Sequence, residues 1–525
     1  MQETIVELVI GLLVVAIPLV ALGRRFEIPY PIALVCGGLA LGFVPGLPSV
    51  HLDPNLVLLL FLPPLLYWEA ITAPTDIMLE NGSQIASLAI GLVLASTIAI
   101  AVVAHAIIPG LPWAVAFVLG ALIAPTDELA SVPVLERFRI PRHVIAIVEG
   151  ESLVNDALSL VIYAAAVTAA VTGAFDLGRW PLYLVAVAGG SVVIGLVVGR
   201  AAVEGWRRVR DTELQSVISL LLPFVAYLPA LRLGTSGVLE VVTTGVYVNR
   251  FTPLVLTPQS RLRLIGFWET FVFVANALLF LIVGLQLHAI AAEVLRHDAW
   301  PAVLGYTVAI NVVVLLVRFV WIVGTEYIPF VGASAEHSAP DWKHAIIASW
   351  SGLRGAVSLA AALAIPLTVA GGAPFPHRDL IIFLTFSVIV VTLVGGGLTL
   401  PAVISSLHLG DSDREESEDL ERAWAGVSAA VLERIGELER DKQIEPEYAQ
   451  LLRRRVEALL DETTNVTTKR RTLLQHRSGA ERDVFDAGRQ ALIALRRQGE
   501  IDNAVLRRVQ FALDLAQTRK DLHTD

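Results

Sequence analysis

From the N-terminus to about Gly410 the chain is a succession of apolar runs separated by short polar stretches, whereas beyond Asp411 nearly every second or third residue is ionisable. A membrane helix needs about 20 mostly apolar residues. On that measure the pattern predicts spans near 4–22, 29–46, 54–72, 83–108, 112–132, 143–172, 181–203, 213–230, 235–249, 265–293, 300–324, 343–367 and 378–406, about thirteen in all. After them, ERAWAGVSAAVLERIGELER and DNAVLRRVQFALDLAQTR carry apolar residues at three- and four-residue steps, the signature of amphipathic helix. The pattern therefore predicts an all-α membrane protein with two parts, a transmembrane domain over 1–410 and a soluble helical tail over 411–525.

Composition and charge refine this picture. Of 525 residues, 55% are hydrophobic and 17% charged, where a soluble chain carries about a quarter charged residues. A net charge of -10 argues against a nucleic-acid partner. Cys36 is the only cysteine, so no disulfide can form within the chain, and it is expected to pack as a small apolar residue in the second span. The N-terminus, MQETIVELVI, lacks the basic region of a cleaved signal and reads as the start of the first span.

Loop charge gives an orientation. Arg24 and Arg25 follow the first span, Arg137, Arg139 and Arg142 the fifth, Arg200, Arg207, Arg208 and Arg210 the seventh, and Arg250, Arg261 and Arg263 the ninth. The opposite loops hold only Arg179, Arg232, Arg296 and Arg378. Positive residues stay cytoplasmic, which places the N-terminus outside and the tail inside. In the tail, Lys469, Arg470 and Arg471 form a local basic run that suits either a solvated surface or a regulatory or dimerising role. No phosphate-binding glycine loop occurs there, so an ATPase is not expected.

Within the spans, Glu69, Asp127, Glu128, Glu151, Asp156, Arg318 and Arg354 each sit among apolar neighbours. Ionisable residues in a membrane are costly and mark functional sites by default. Pairing them all still leaves a surplus of acids, and a buried surplus must be protonated or hold a cation. In EGESLVNDALSL, residues three and four apart share a helix face. Ser152, Asn155 and Asp156 then present a hydroxyl, an amide carbonyl and a carboxylate together, oxygen ligands suited to a small hard cation. Glu151 lies over Asn155, placed to anchor that patch.

Two segments read as helices broken within the membrane. APTDELAS joins Pro125, which removes an amide donor, to Thr126, Asp127 and Glu128. SWSGLRGAVS sets Ser351, Gly352, Arg354 and Gly355 in the middle of its span. They fall in the fifth and twelfth spans, matching positions if each repeat has six spans around a linker seventh, and such interruptions point to a transporter's midplane site. Gly352 and Gly355 also fit close packing.

APTDELASVPVLERFRIPRHVIAIVEGESLVNDALSLVIY resembles the paired fifth and sixth spans of the NhaP-type sodium/proton antiporters, relatives of the animal sodium/proton exchangers. LPPLLYWEA, LRLGTSGVLEVVTTGVYV, FWETFVFVANALLFLIVGLQL, WSGLRGAVSLAAALAIP and the tail's RRQGEIDNAVLRRVQFALDL resemble that family in the expected order. The resemblance implies a cell-membrane homodimer of thirteen-span protomers built from two inverted repeats, with a core domain moving past a fixed dimer domain. It implies no cofactor, only transported sodium and protons. Asp156 matches the essential cation- and proton-binding aspartate, and Asn155 its neighbour in the pair associated with electroneutral exchange. Thr126 and Asp127 match the broken fifth helix, Ser152 a hydroxyl ligand and Glu69 a third-span acid near the site. The monovalent cation is expected on Asp156, Ser152 and Thr126. Glu151 matches a glutamate paired with an arginine, here Arg318, and Arg354 an arginine that supports the helix crossing. Where the family usually reads TDP this chain reads TDE: Glu128 replaces a proline and either faces the cavity or is solvated at the rim.

The expected activity is exchange of sodium, or lithium, for protons. A potassium/proton antiporter and a cation channel are the rival readings. An intramembrane aspartyl protease using Asp127 and Asp156 is set aside, because the YD and GxGD pairing and an HExxH zinc motif are missing.

Overall fold

The computed structural model describes residues 2–26, 28–44, 54–75, 78, 81–129, 131–138, 140–173, 180–209, 211–297, 299–327, 342–407 and 429–454. Among these residues the regular structure is helical, apart from an isolated bridge between Thr368 and Pro374. The chain separates into two compact units, Met1–Gly410 and Asp411–Asp525.

The first unit opens with α1 (Gln2–Arg25), α2 (Tyr30–Gly42) and α3 (Pro54–Thr72), followed by α4 (Gly82–Ile107). The broken pair α5 (Trp113–Ile123) and α6 (Val132–Arg137) leads into α7 (Arg142–Thr172). Next come α8 (Trp180–Arg208), α9 (Thr212–Tyr227), α10 (Gly237–Val255), α11 (Pro258–His297) and α12 (Trp300–Tyr327). A second broken pair, α13 (Trp342–Trp350) and α14 (Ala356–Leu363), precedes α15 (Arg378–Leu407). Among the described residues six helices are long and apolar enough to cross a membrane: Gly82–Ile107, Val144–Thr172, Val185–Arg208, Gln259–Arg296, Trp300–Thr325 and Arg378–Leu407. Tyr30–Gly42, Leu59–Thr72, Trp113–Ile123 and Thr212–Tyr227 are shorter apolar helices.

Local chemistry sets several boundaries. Asp211 caps α9 by accepting from the amides of Glu213 and Leu214, both at 2.9 Å. At the start of α10, Ser236 accepts from Leu239. At 40 residues α11 is far longer than the expected 265–293. Its length of about 60 Å is roughly twice the hydrocarbon thickness, so its charged ends extend beyond the apolar stretch that hydropathy detects. Helices α2 and α11 cross backbone to backbone: a Cβ at Gly38 would stand 2.4 Å from Leu281 O, and one at Gly284 would stand 2.3 Å from Val35 O. Cys36 departs from expectation, since it is exposed on α2 while Ile32, Val35 and Gly38 form the helix's buried face.

Two spans that hydropathy reads as single runs are interrupted. α5 stops at Ile123 and α6 starts at Val132; α13 stops at Trp350 and α14 starts at Ala356. Two further helices widen without breaking, as π turns at Ser87–Leu92 in α4 and Val391–Gly396 in α15. Such turns free backbone groups and occur at functional positions.

In the second unit, residues 429–440 and 446–454 are helical, and Arg453 pairs with Glu439 at 2.5 Å. The expected helix over 502–519, the basic run at Lys469, Arg470 and Arg471, and the loop residues Arg139, Arg179 and Arg210 lie outside the described residues.

Candidate ion-binding site

A helix interrupted in a membrane leaves unpaired carbonyls at one broken end and unpaired amides at the other. In this chain, charged side chains meet those ends. Arg354 donates from Nε to Ile123 O at 3.1 Å, capping the C-terminal end of α5, and from Nη1 to Gly352 O at 2.6 Å. Arg318 does the same for α13, donating to Ala348 O at 2.8 Å and Ser349 O at 3.2 Å. Arg378 serves α14, reaching Leu363 O at 3.2 Å and Ile365 O at 3.0 Å. In each case a cation faces the negative end of a helix dipole. The opposite sign appears at the start of α14, where the Asp127 carboxylate occupies the space that a Cβ on Gly355 would fill. Asp127 Oδ1 also accepts from Leu129 N at 2.7 Å.

The two interruptions are stitched together through the backbone. Asp127 N donates to Leu353 O at 2.7 Å, and Arg354 N donates to Thr392 Oγ1 at 3.2 Å in the π turn of α15. Gly352 and Gly355 are therefore close-packing positions, and the groups they admit are charged. A Cβ on Gly352 would stand 2.1 Å from Arg318 Nε.

Alongside runs α7, whose polar face carries a directed network. Arg318 Nη1 donates to Glu151 Oε1 at 2.5 Å and Nη2 to Oε2 at 3.1 Å, a bidentate pair with both side chains at most 3% exposed. Thr126 Oγ1 donates to the same Glu151 Oε1 at 3.1 Å. Its only proton is thereby used, so it must accept from Asn155, whose Nδ2 lies 2.9 Å away. Ser152 Oγ donates to Thr126 O at 2.9 Å. This order fixes the amide of Asn155 and leaves its Oδ1 as a buried acceptor with no partner.

Asp156 is 4% exposed, and among the described residues no hydrogen-bond donor reaches it. Its electrostatic neighbours are Glu69 of α3 and Asp127. One oxygen of Glu69, Oε2, is also buried without a partner. Glu128 is half-buried in the break between α5 and α6, and it interacts with Glu69, Glu149, Asp127 and Asp156. Of the two readings open for Glu128, the position within the acidic cluster matches the geometry and the solvated rim does not. The structure thus gathers Glu69, Thr126, Asp127, Glu128, Ser152, Asn155 and Asp156 in one region, with Glu151, Arg318 and Arg354 bracing it. Oxygens free to meet a small cation there include the Asp156 carboxylate, Asn155 Oδ1 and the acceptor capacity of Ser152 Oγ and Thr126 O.

The family described as sodium/hydrogen exchanger, transmembrane, matches residues 9–405. The chain belongs to the sodium/hydrogen exchanger family. An uncharacterised Na(+)/H(+) exchanger of Mycobacterium tuberculosis is 32% identical to this exchanger, over 98% of this chain and 96% of that one. The sodium, potassium, lithium and rubidium/H(+) antiporter of Bacillus subtilis is 33% identical over 71% of this chain and 57% of its own length. Among solved structures, the sodium proton antiporter MjNhaP1 from Methanocaldococcus jannaschii at pH 8 superposes with a TM-score of 0.62, at 20% identity, over 78% of this chain and 99% of that one. The exchanger therefore has that antiporter's all-helical fold.

Sequence reasoning passed over several residues of this region. Thr392 gave no signal, because a threonine in an apolar span is unremarkable until a π turn presents it to a neighbouring amide. Asn276, inside the FVANALLF segment, is fully buried with neither amide atom partnered, and its neighbour Tyr30 interacts with Asp127. A lone amide in an apolar run was the available clue. Glu149, in plain view in EGES, was given no role.

Proposed function

We propose that this exchanger carries sodium against protons across the cell membrane by alternating access, with Asp156 as the carrier carboxylate. The observation that carries the reading is Asp156 itself, buried without a donor beside the unpartnered Asn155 Oδ1 at the meeting of two interrupted helices. A bare buried carboxylate is costly in a low-dielectric interior. A proton or a cation neutralises it, and only the neutral site then crosses the hydrophobic barrier between the two sides. Because both ligands compete for one carboxylate, each can leave only in exchange for the other, and exchange needs no energy beyond the two gradients.

In this reading Asp156, Ser152, Asn155 and the Thr126 carbonyl receive the cation, while Glu69 and Asp127 shape the field around it. Glu151, Arg318 and Arg354 hold the frame. No cofactor is required. The arginine-rich loops support a cytoplasmic tail and an outside N-terminus, and the family resemblance supports a homodimer of two-repeat protomers. The name of the Bacillus subtilis relative extends the cations to be tested to potassium, lithium and rubidium.

The test is transport in proteoliposomes under an imposed pH gradient, challenged in turn with sodium, lithium and potassium. Sodium should dissipate the gradient, and Asp156→Asn should insert and fold yet show no cation-dependent proton movement. Ordinary transport by Asp156→Asn would sink the assignment.

A further inference from the structure

Glu149 and Asp156 are seven residues apart on α7, two turns of helix, so they share one face at a separation of about 10 Å along the axis. Ser152 lies on that face between them. Helical side chains lean toward the N-terminus, so Asp156 leans toward Glu149. From across the groove Glu128 interacts with both of them, which places it between the two levels. Glu136 on α6 interacts with Glu149 from the same end of the helix. Glu128 and Glu149 are both half-buried, whereas Asp156 at the inner end is 4% exposed and without a donor. The groups described along this path are thus graded, with exposure falling from the α6 end to the carrier. The buried arginines are committed elsewhere, Arg318 to Glu151 and the α13 carbonyls, and Arg354 to the carbonyls of Ile123 and Gly352.

We propose that Glu149 and Glu128 form an acidic vestibule that gathers monovalent cations at the α6 end of α7 and hands them to Asp156. The vestibule rests on Asp156 being the carrier, and by loop charge it opens on the cytoplasmic side. Its walls are apolar and its charge is of one sign, which focuses the field and raises the local cation concentration. The cation is stripped of water in stages, meeting one carboxylate beside solvent, a second in the break, and the fixed oxygens at Asp156 last. Glu128, standing where the family usually has a proline, supplies the middle step.

The experiment compares everted with right-side-out membrane vesicles containing the full chain, titrating sodium on the outer face of each. Glu149→Gln should raise the apparent KM for sodium in everted vesicles by about two- to tenfold, the range for one charge at this distance between aqueous and protein-surface dielectric. Its maximal rate should be kept, and Glu149→Asp should restore the KM. Glu128→Gln should raise the same KM. In right-side-out vesicles the KM should not move. For the unmodified protein, an inert choline salt should raise the everted-side KM by screening, a measurement that needs no variant to fold. An unchanged everted-side KM in both glutamine variants, an equal shift from both faces, or no salt effect on the unmodified protein would overturn the vestibule. Should Asp156→Asn still exchange sodium for protons, the carrier reading fails instead; an inactive Asp156→Asn with unchanged KM in the vestibule variants refutes the vestibule alone.

Discussion

The amide of Asp127 donates to the carbonyl of Leu353 at 2.7 Å, joining the break in one helix to the break in another far along the chain. That bond makes the two interruptions one object. The ends left unpaired by each break are served by a charge held on another element, with Arg354 and Arg318 at C-terminal ends and Asp127 at the start of α14. A crossing built this way presents free oxygens while keeping its backbone satisfied, which a membrane interior demands.

Gly355 is the position where this arrangement has least tolerance. A Cβ there would stand 1.5 Å from Asp127 Oδ2 and 2.1 Å from its Cγ. Gly355→Ala should therefore displace the carboxylate from the start of α14 and cost about 1–3 kcal/mol. A lowered melting temperature in detergent, together with lost exchange, is the expected outcome. Gly11, with nothing within 4 Å of its hypothetical Cβ, is the matched control. Equal stability of the two alanine variants would show that Asp127 does not need the space.

Glu151 and Arg318 form the bidentate pair at the other side of the crossing. Removing one partner strands a buried charge, at a cost of about 3–5 kcal/mol. Glu151→Gln and Arg318→Gln should each reduce the yield of folded protein, and the double variant should recover part of it. Stability measured across all four proteins gives the coupling directly. Purely additive losses would mean that Arg318 acts through the α13 carbonyls alone.

Thr126 sits at the centre of the hydrogen-bond chain, donating to Glu151 and accepting from Asn155. Thr126→Ser keeps both bonds and should transport. Thr126→Val matches the shape and removes both, leaving Asn155 Nδ2 unpaired at about 1–3 kcal/mol. With the amide no longer fixed, Asn155 Oδ1 loses its direction and the apparent KM for sodium should rise from both faces of the membrane. A valine variant with serine-like kinetics would remove the network from cation binding.

Much of this fold was legible in hydropathy because a bilayer leaves helices little choice. The interruptions were legible too, since Pro125 and the SGLRG segment cannot continue a helix among apolar neighbours. What could not be read was which loose ends meet. Arg354 reaching Ile123 O, or Thr392 meeting the Arg354 amide, joins distant segments through backbone groups that every residue shares, so no residue type announces it. Glu149 shows a different limit. Its spacing to Asp156 was visible in the sequence, but its meaning depended on Glu128 lying across the groove, and residues in a broken segment have no helical periodicity to place them.

The last prediction concerns charge balance. Asp156 is neutral with either a proton or a monovalent cation, and Asn155 beside it carries no charge. Glu151 is held by Arg318 in a pair at most 3% exposed, so it has no call to trade protons during the cycle. If Glu69, Asp127 and Glu128 keep the same charge in both half-cycles, one sodium ion moves against one proton and no net charge crosses. Exchange should then be indifferent to membrane potential. An unbalanced charge crossing the full field would instead feel about 2.3 kcal/mol per 100 mV. Proteoliposomes with a potassium gradient and valinomycin set that potential, and initial sodium-driven proton flux is followed with a trapped dye at several values. A flat response supports one carboxylate serving both ions. A rate that climbs with the potential would show a second acid in the cluster carrying protons, and Glu69→Gln and Glu128→Gln would then identify it by abolishing the voltage dependence while exchange continues.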